Sequence, residues 1–267
     1  MTAETFGKEQ LDKFAAVLSV KTRGKVKPRP ITAKSVNNIL ATLSVILGSA
    51  VEWNVLVHLP KMPRQKVEES AFDFYVRAES DLVIGKARSP EERALLMFAF
   101  RTGARAGEQI AFEWSSVDWV NKLILFKRSS TYGVVVERTK SKKIRRVPMG
   151  AALESALKAI KHLKGPLVFC NEDGSPLTIN QLHERLWSAS RRAGLRRIKW
   201  HETRHSFASQ LVIAATPLRQ VQEWLGHSTI AMTMRYAHLA PGGGREFMDA
   251  LDGPTALPGH ATSAATA

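Results

Sequence analysis

The sequence predicts a mostly helical α+β protein with a small antiparallel β-sheet. Apolar residues recur at helical spacing over most of the chain, strand-like alternation is confined to residues 122–148, and helical spacing returns after Gly150. Apolar residues make up 44% of the 267 residues, so the chain is globular and long enough for two domains, each with its own core.

Two helices are predicted near the N-terminus. Residues 31–53 have apolar side chains at three- and four-residue spacing, and Thr32 is a suitable N-cap. A helix over residues 4–18 is expected to pack against this one. The basic, proline-bearing stretch KTRGKVKPRP between them is predicted to be a loop.

The second half of the chain mixes strands and helices. Ser89 and Pro90 give an N-cap and a first helical position for a helix that runs to Arg101. Strands are expected in KLILF, VVVER and IRRVPM, with a turn around SSTYG. Thr216 and Pro217 give another helix start, and the remaining predicted helices cover 150–163, 178–192, 202–214, 217–225 and 229–239.

Changes in composition suggest the domain boundaries. The segment HLPKMPRQKVEES has two prolines and little apolar content, which is typical of a linker. A short helix over 244–252 is expected either to fold back or to dock onto a neighbouring protomer. The predicted division is a helical N-terminal domain over 1–57, a linker over 58–70, a second domain over 71–252 and a disordered tail over 253–267.

Charge and cysteine content restrict the function. Thirty-nine Lys and Arg against 24 Asp and Glu give a net charge of +15, which favours a nucleic-acid partner. Cys170 is the single cysteine, so no intrachain disulfide forms and a reducing compartment fits. The N-terminus lacks the apolar region of a signal peptide, and no apolar run is expected to approach the length needed to span a bilayer. We therefore expect a cytoplasmic protein.

Three segments contain residue types suited to phosphodiester transfer: RTGARAGE at 101–108, HETRH at 201–205 and LGHSTIAMTMRY at 225–236. The transition state places negative charge on non-bridging oxygens, which the forked donors of arginine stabilise. The leaving 5′ oxygen needs a proton, and a nucleophile that stays attached conserves the bond for rejoining. Arginines, a lysine, histidines and a tyrosine suffice without a metal or cofactor.

These segments resemble the motifs of the tyrosine recombinase (phage integrase) family, in the family's order and over roughly residues 70–240. The family's Thr-Gly-x-Arg-x-Gly/Ser-Glu turn matches here with Arg105 and Glu108, and its hairpin lysine matches Lys140 in TKSKKIRRVP. The resemblance implies that Arg105 clamps the phosphate, that Glu108 supports it and that Lys140 protonates the leaving oxygen. Lys142 and Lys143 remain alternatives for the lysine.

The C-terminal motifs supply the rest of the resemblance. The family's His-x-x-Arg, often followed by His, matches His201, Arg204 and His205, and its Leu-Gly-His with a tyrosine nine residues on matches His227 and Tyr236. The resemblance makes Tyr236 the nucleophile of a 3′-phosphotyrosyl intermediate. It assigns Arg204 and His227 to the phosphate, His201 to a proton acceptor or hydrogen-bond partner of the tyrosine, and His205 to structural support.

Parts of the sequence also match other functions. HETRH also matches the zinc-binding pattern H-E-x-x-H, but Arg204 would place a cation beside the metal and the preceding LRRIKW is basic rather than apolar. A catalytically silent DNA-binding relic would be expected to lack at least one motif residue. A type IB topoisomerase shares the chemistry, and sequence motifs separate it poorly from a recombinase.

The resemblance also implies partners and architecture. It predicts a helical (SAM-like) core-binding domain and an integrase-type catalytic domain that clamp double-stranded DNA, with KTRGKVKPRP, KSKKIRR and RRAGLRRIK as phosphate contacts. It predicts a homotetramer on two DNA sites and accessory DNA-bending or directionality proteins. A bacterial or phage-encoded mobile element, acting at the nucleoid, fits best. The N-terminal part is short for the family, so the chain is either a simple two-domain recombinase or a fragment.

Overall fold

The computed structural model describes residues 7–23, 29–67, 72–131, 134–136 and 144–242. The chain divides into two compact units, Met1–Ala71 and Phe72–Ala267. Helices predominate and the β-structure is small and antiparallel, which confirms the predicted fold class.

The first unit is a pair of packed helices, α1 (Lys8–Val20) and α2 (Ala33–Glu52). The hydroxyl of Thr32 accepts a hydrogen bond from the backbone N–H of Ser35, as an N-cap does. Between the helices, β1 (Thr22–Arg23) pairs with β2 (Arg29–Pro30) inside the predicted loop. The buried core is small and consists of Ala15, Leu18, Val36 and Leu40.

Helix α2 is long and apolar enough to cross a membrane by length and composition alone. The sequence-based expectation that no run of the chain reaches this length was therefore wrong. A single such helix is weak support for a membrane span, because core helices of other proteins pass the same test. Its Val36 and Leu40 are buried in the contact with α1.

The second unit is built around one central helix. Every residue from 94 to 100 in this helix, α4, is buried, and α4 packs against three other helices, α3, α6 and α8. The helices of this unit are α3 (Arg77–Gly85), α4 (Pro90–Thr102), α5 (Ala106–Ile110), α6 (Ala151–Ala159), α7 (Ile179–Arg192), α8 (Trp200–Ile213), α9 (Leu218–Leu225) and α10 (Ala231–Met234).

Two small antiparallel arrangements accompany these helices. A three-stranded sheet has the order β3 (Val117–Asp118), β4 (Leu123–Phe126), β7 (Arg145–Pro148). Its register places Ile124 opposite Val147. A separate hairpin pairs β5 (Ser129–Thr131) with β6 (Val134–Val136). Helix α5 packs against β5, and α9 packs against β7. The helix that carries Glu108 and the helix that precedes His227 therefore both contact the strands.

Several predicted boundaries differ from the structure. Helix α3 was not predicted, and Ser129–Thr131 forms a strand rather than part of a turn. The predicted helix over 229–239 is a single turn, α10, followed by a 3₁₀ turn at Ala237–Leu239, because the backbone hydrogen bonds beyond α10 join residues three apart, Tyr236 to Thr233 and Leu239 to Tyr236. Pro217 is the N-cap of α9 rather than its first residue. Lys140, Lys142, Lys143, residues 244–252 and the tail lie outside the described residues.

Candidate active site

The first motif lies at a sharp turn between α4 and α5. Gly103 has a φ of 60°, which residues with a side chain rarely adopt, and a Cβ added to it would lie 2.5 Å from the ring of Phe207. Both the backbone conformation and the close packing therefore require glycine. Arg105 is the N-cap of α5. Its backbone N–H donates to Oε2 of Glu108 and its Nη1 donates to Oε1, both at 2.8 Å. The Arg105 side chain is 40% exposed while the Glu108 side chain is buried, so the guanidinium is anchored from behind and reaches the surface.

Arg204 lies deeper, on α8. Its Nη1 donates to the carbonyl oxygen of Gly103 at 2.7 Å and its Nη2 to that of Leu225 at 2.5 Å, so it joins the first motif to the end of α9. Burial and then the charge of Arg105 lower the pKa of Arg204 to about 9. The guanidinium is therefore protonated at neutral pH, and these two bonds use two of its five N–H donors.

Tyr236 is 1% exposed, and its hydroxyl lies 2.6 Å from Nδ1 of His205. The ring of Phe72 packs edge-on against Tyr236, with centroids 5.1 Å apart, and also contacts the His205 ring. Burial raises the pKa of Tyr236 above its ordinary value, and the charges of Arg235 and Arg204 oppose this rise. The hydrogen-bond partner of the tyrosine is thus His205, where the sequence had suggested His201.

The histidines of the site have depressed pKa values. For His205 the pKa falls to about 3, because burial, the neighbouring His201 and nearby arginines all disfavour the imidazolium. For His201, which lies at the exposed edge of the site, partial desolvation and then the charge of Arg204 lower the pKa. The two rings meet edge-on with centroids 5.0 Å apart. A neutral His205 can accept the proton of a hydroxyl group.

His227 follows the second sharp turn. Helix α9 ends at Gly226, which has a φ of 63°, and the N–H of His227 donates to the carbonyl oxygen of Gln222 at 3.1 Å. Nδ1 of His227 lies 2.9 Å from the hydroxyl oxygen of Thr233. Burial, followed by the charges of the neighbouring arginines, lowers the pKa of His227 to about 4. The imidazole is therefore neutral at pH 7. The backbone of His227 is bonded to α9 before the turn, and its ring is bonded to Thr233 of α10 after it.

Arg145 belongs to this cluster although sequence reasoning missed it. It was part of a basic stretch expected to contact DNA phosphates, but its guanidinium is 5% exposed and bonded to the carboxylate of Glu108. The alternation of β7 could have revealed this, because Arg145 and Val147 share the buried face of the strand.

The structure thus brings together residues from three motifs that are far apart in the chain, at 101–108, 201–205 and 225–236. The predicted residues that meet are Arg105, Glu108, His201, Arg204, His205, His227 and Tyr236. With Arg145, three guanidinium groups share one buried carboxylate. Such a cluster attracts an anion with several oxygen atoms, and phosphate fits the arginine forks.

The H-E-x-x-H alternative requires a glutamate facing the two histidines. Glu202 instead accepts the backbone N–H of Lys199 and caps α8, and Nδ1 of His205 is engaged by the tyrosine. Within the described residues, no group of three metal-ligating side chains occurs. The side chains of this motif therefore serve the helix start and the tyrosine.

Comparisons with known proteins give consistent results. A family model described as the phage integrase family matches residues 77–242. A tyrosine recombinase XerC-like protein of Caldanaerobacter subterraneus subsp. tengcongensis is 27% identical over 253 residues, covering 79% of this chain and 63% of that protein. The integrase of Salmonella phage P22 is 28% identical, covering 80% of this chain and 56% of that protein. XerC of Pseudomonas aeruginosa is 31% identical, with 67% and 56% covered. The chain thus spans less than two thirds of the length of these relatives.

Solved structures of low sequence identity share the fold. The Tn1549 transposon integrase in complex with transposon right end DNA aligns with a TM-score of 0.76 at 17% identity, covering 95% of this chain and 88% of that one. The XerH site-specific recombinase bound to a palindromic difH substrate aligns with a TM-score of 0.68 at 24% identity, covering 93% and 72%.

Proposed function

The chain belongs to the phage integrase family, and from that premise we propose that it is a site-specific recombinase that cleaves and rejoins DNA through a 3′-phosphotyrosyl intermediate. The observation that carries this proposal is the pairing of a buried tyrosine hydroxyl with a neutral histidine next to the arginine cluster. Tyr236 and His205 are 2.6 Å apart, and the charge of Arg204 acts on both. These are a nucleophile, a base and an electrostatic clamp in one place.

In the proposed cleavage step, the Tyr236 oxygen attacks the scissile phosphorus. The bond between phosphorus and the tyrosine oxygen forms as the bond to the 5′ oxygen breaks. The tyrosine proton passes to His205, which lies within hydrogen-bond distance. In the DNA-free chain the pKa of His205 is about 3, and the negative charge of the bound phosphate raises it so that the imidazole can accept the proton. Lys140 gives its proton to the departing 5′ oxygen. Rejoining reverses each transfer, with the free 5′ hydroxyl of the incoming strand as nucleophile.

Arg105 and Arg204 stabilise the charge that develops on the non-bridging oxygens. Both are held by protein groups before DNA arrives, Arg105 by Glu108 and Arg204 by two carbonyl oxygens, so little reorganisation is needed during the reaction. His227 donates or accepts at the phosphate from the third motif. His201 is exposed and its ring meets that of His205, so we assign it a hydrogen bond to the reacting group beside the tyrosine.

The nucleophile is not accessible in the DNA-free chain. Tyr236 is 1% exposed and Phe72 packs against its ring, so the phosphate reaches the hydroxyl only after one of these rings moves. We therefore include in the proposal a rearrangement of the segment around α10 when DNA binds.

Partners and setting follow from the same premise. The proposed partner is double-stranded DNA, consistent with the net charge of +15 and with the DNA-bound Tn1549 integrase and XerH. A homotetramer on two DNA sites would provide four active sites, with accessory DNA-bending or directionality proteins. The relatives from a phage and a transposon favour a mobile element, acting at the nucleoid in the bacterial cytoplasm.

The decisive experiment detects the covalent intermediate. The protein is incubated in EDTA with labelled duplexes from the DNA that flanks its own gene, each with a nick that traps cleavage. We expect a denaturant-resistant protein–DNA adduct from the wild type and none from Tyr236→Phe. Tyr75→Phe is the matched control, because Tyr75 is also buried and its hydroxyl donates to the backbone carbonyl of Arg196, away from Tyr236 and His205.

Each other outcome contradicts part of the proposal. An adduct from Tyr236→Phe would show that another residue is the nucleophile. Tight binding by the wild type without an adduct would favour a DNA-binding protein without chemistry. Relaxation of supercoiled plasmids without exchange between two duplexes would indicate a topoisomerase.

A further inference from the structure

Arg145 is a buried cation of the candidate site that has no role in the proposed chemistry. Its guanidinium donates to the carboxylate of Glu108, to the carbonyl oxygen of Trp224 at 2.6 Å and to that of Thr102 at 3.3 Å. The guanidinium carbon lies 3.7 Å above the ring centroid of Phe126. With 5% of the side chain exposed, it has no surface to offer to DNA.

Such a residue is costly as a packing element. Burial lowers the pKa of Arg145 to about 10 although the Glu108 carboxylate opposes the shift, and Arg105 adds a like charge. Buried ion pairs often contribute no more to stability than apolar residues of the same volume. The bonds of Arg145 are better explained by the arrangement that they impose on the residues around it.

One side of this arrangement leads to Arg105. Glu108 receives Arg145 on the same oxygen, Oε2, that accepts the backbone N–H of Arg105, while Oε1 accepts the Arg105 guanidinium. Arg145 therefore sets the position of the carboxylate that holds both the backbone and the side chain of Arg105.

The other side leads to His227. Trp224 lies in the last turn of α9, two residues before Gly226. A Cβ added to Gly226 would lie 2.9 Å from Cδ of Arg145, so the arginine stem packs directly against the turn that presents His227. The same guanidinium thus contacts the α4–α5 turn and the α9 turn, while its backbone belongs to β7.

We infer that Arg145 is a positioning residue, which holds Arg105 and His227 in register with each other for phosphoryl transfer. The inference rests on the proposed function, because the register of these two side chains matters only if both act on one phosphate. Lysine at this position keeps the charge but replaces the planar fork by one ammonium nitrogen. That nitrogen cannot occupy both the position of Nη2, which donates to Glu108, and the position of Nη1, which donates to Trp224.

The primary test compares Arg145→Lys with the wild type on the nicked duplex. We expect single-turnover adduct formation to slow about 100-fold, because a displacement of about 1 Å in a reacting group has such an effect, while the Kd for the duplex changes less than about threefold. Arg101→Lys is the matched control, since Arg101 is likewise an arginine with most of its side chain buried and paired with a carboxylate, that of Asp81. It hydrogen-bonds to Gln210 rather than to Glu108. Its rate should remain near that of the wild type.

A substrate change separates positioning from general loss of structure. A methylphosphonate at the scissile position removes the negative charge that Arg105 neutralises. If Arg145 acts through Arg105, the defect of Arg145→Lys shrinks to less than about tenfold with this substrate. A merely structural defect would reduce the rate by the same factor on both substrates, and that result would overturn the inference.

If Arg145→Lys is unstable, Glu108→Gln tests the same connection, and if no duplex is cleaved, the titration of His227 in the free protein tests it. Glu108→Gln should produce a similar defect, and the double variant should be no slower than the slower single variant, because both changes break one connection. In the free protein, an NMR titration of His227 should show a higher pKa in Arg145→Lys than in the wild type. Additive defects, or an unchanged His227 titration in a folded variant, would contradict the inference. Absence of an adduct from the wild type would count against the proposed function alone.

Discussion

The hydroxyl of Tyr236 and Nδ1 of His205 are 2.6 Å apart, in a part of the site from which water is largely excluded. The pKa of His205 is depressed to about 3, and that of Tyr236 is raised. Both groups are therefore neutral at pH 7, and the bond joins a neutral donor to a neutral acceptor. In the proposed mechanism, the tyrosine loses its proton only as its oxygen forms a bond to the scissile phosphorus.

We predict that His205 accelerates cleavage. In His205→Ala the rate of adduct formation should fall about 100-fold, since a general base contributes a factor of this order, while DNA binding is retained. His183→Ala is the control, because His183 stacks on Trp187 in α7 and does not contact the tyrosine. A rate in His205→Ala equal to that of the wild type would mean that the bond to Tyr236 has no part in catalysis.

Stability should depend on pH through the same histidines. The pKa of His205 is about 3 and that of His227 about 4 in the folded chain, both below the unfolded value near 6.5. Between these values the unfolded chain binds more protons, so the free energy of unfolding decreases as the pH falls from about 6.5. Both imidazoles are only partly buried, so solvent screening reduces the contribution of each to about 1 kcal/mol or less by pH 5.

Urea unfolding at pH 7, 6 and 5 measures this dependence. The window lies above the carboxylate titrations, so the histidines dominate it. His205→Gln should show a smaller decrease than the wild type. Equal slopes in both proteins would show that folding does not lower the pKa of His205, which would contradict the prediction.

Phe72 should shield the nucleophile from reagents in solution. We expect tetranitromethane to leave Tyr236 unmodified in the DNA-free wild type and to nitrate it at least about tenfold faster in Phe72→Ala, because the ring contact is lost. Mass spectrometry of tryptic peptides identifies the site, with Tyr75 as the internal control. Rapid nitration of Tyr236 in the wild type would contradict this prediction.

The site should bind small tetrahedral anions in the absence of DNA. Arg105, Arg145 and Arg204 share the single carboxylate of Glu108, so the buried cluster has an excess of positive charge. Sulfate should raise the Tm above that in chloride of equal ionic strength, since a ligand of the folded state stabilises it. Arg105→Gln should lose this difference, and a difference that persists in this variant would place the anion elsewhere.

Much of the fold follows from local sequence signals. The long helix α2 and its Thr32 cap, and the start of α4 at Pro90, match the expected patterns. Helix α3 was missed because its N-cap, Val76, is not a typical capping residue, and its N–H is satisfied by the carboxylate of Glu79 from within the helix. Strand β5 was missed because Ser129–Thr131 has a turn-like composition, and pairing with the valines of β6 determines its conformation.

The motif residues of the site could be identified from sequence, but their connections could not. Spacing places His201 and His205 on one helix face, and it does not indicate which of them reaches Tyr236. Arg145 lies in a basic run, and its burial depends on residues 37 positions before it and 79 positions after it in the chain. Such contacts arise only when the turns after α4 and α9 come together.

Three glycines surround this site without contributing a functional group. Gly103 and Gly226 have positive φ angles, and a Cβ at Gly107 would lie 2.3 Å from the carbonyl oxygen of Ser130. We therefore expect these three positions to tolerate few amino-acid substitutions. In a library of random substitutions selected for recombination, these three codons should be among the least variable of the catalytic unit. Any other amino acid there separates turns that must touch, so the loss would affect every motif at once.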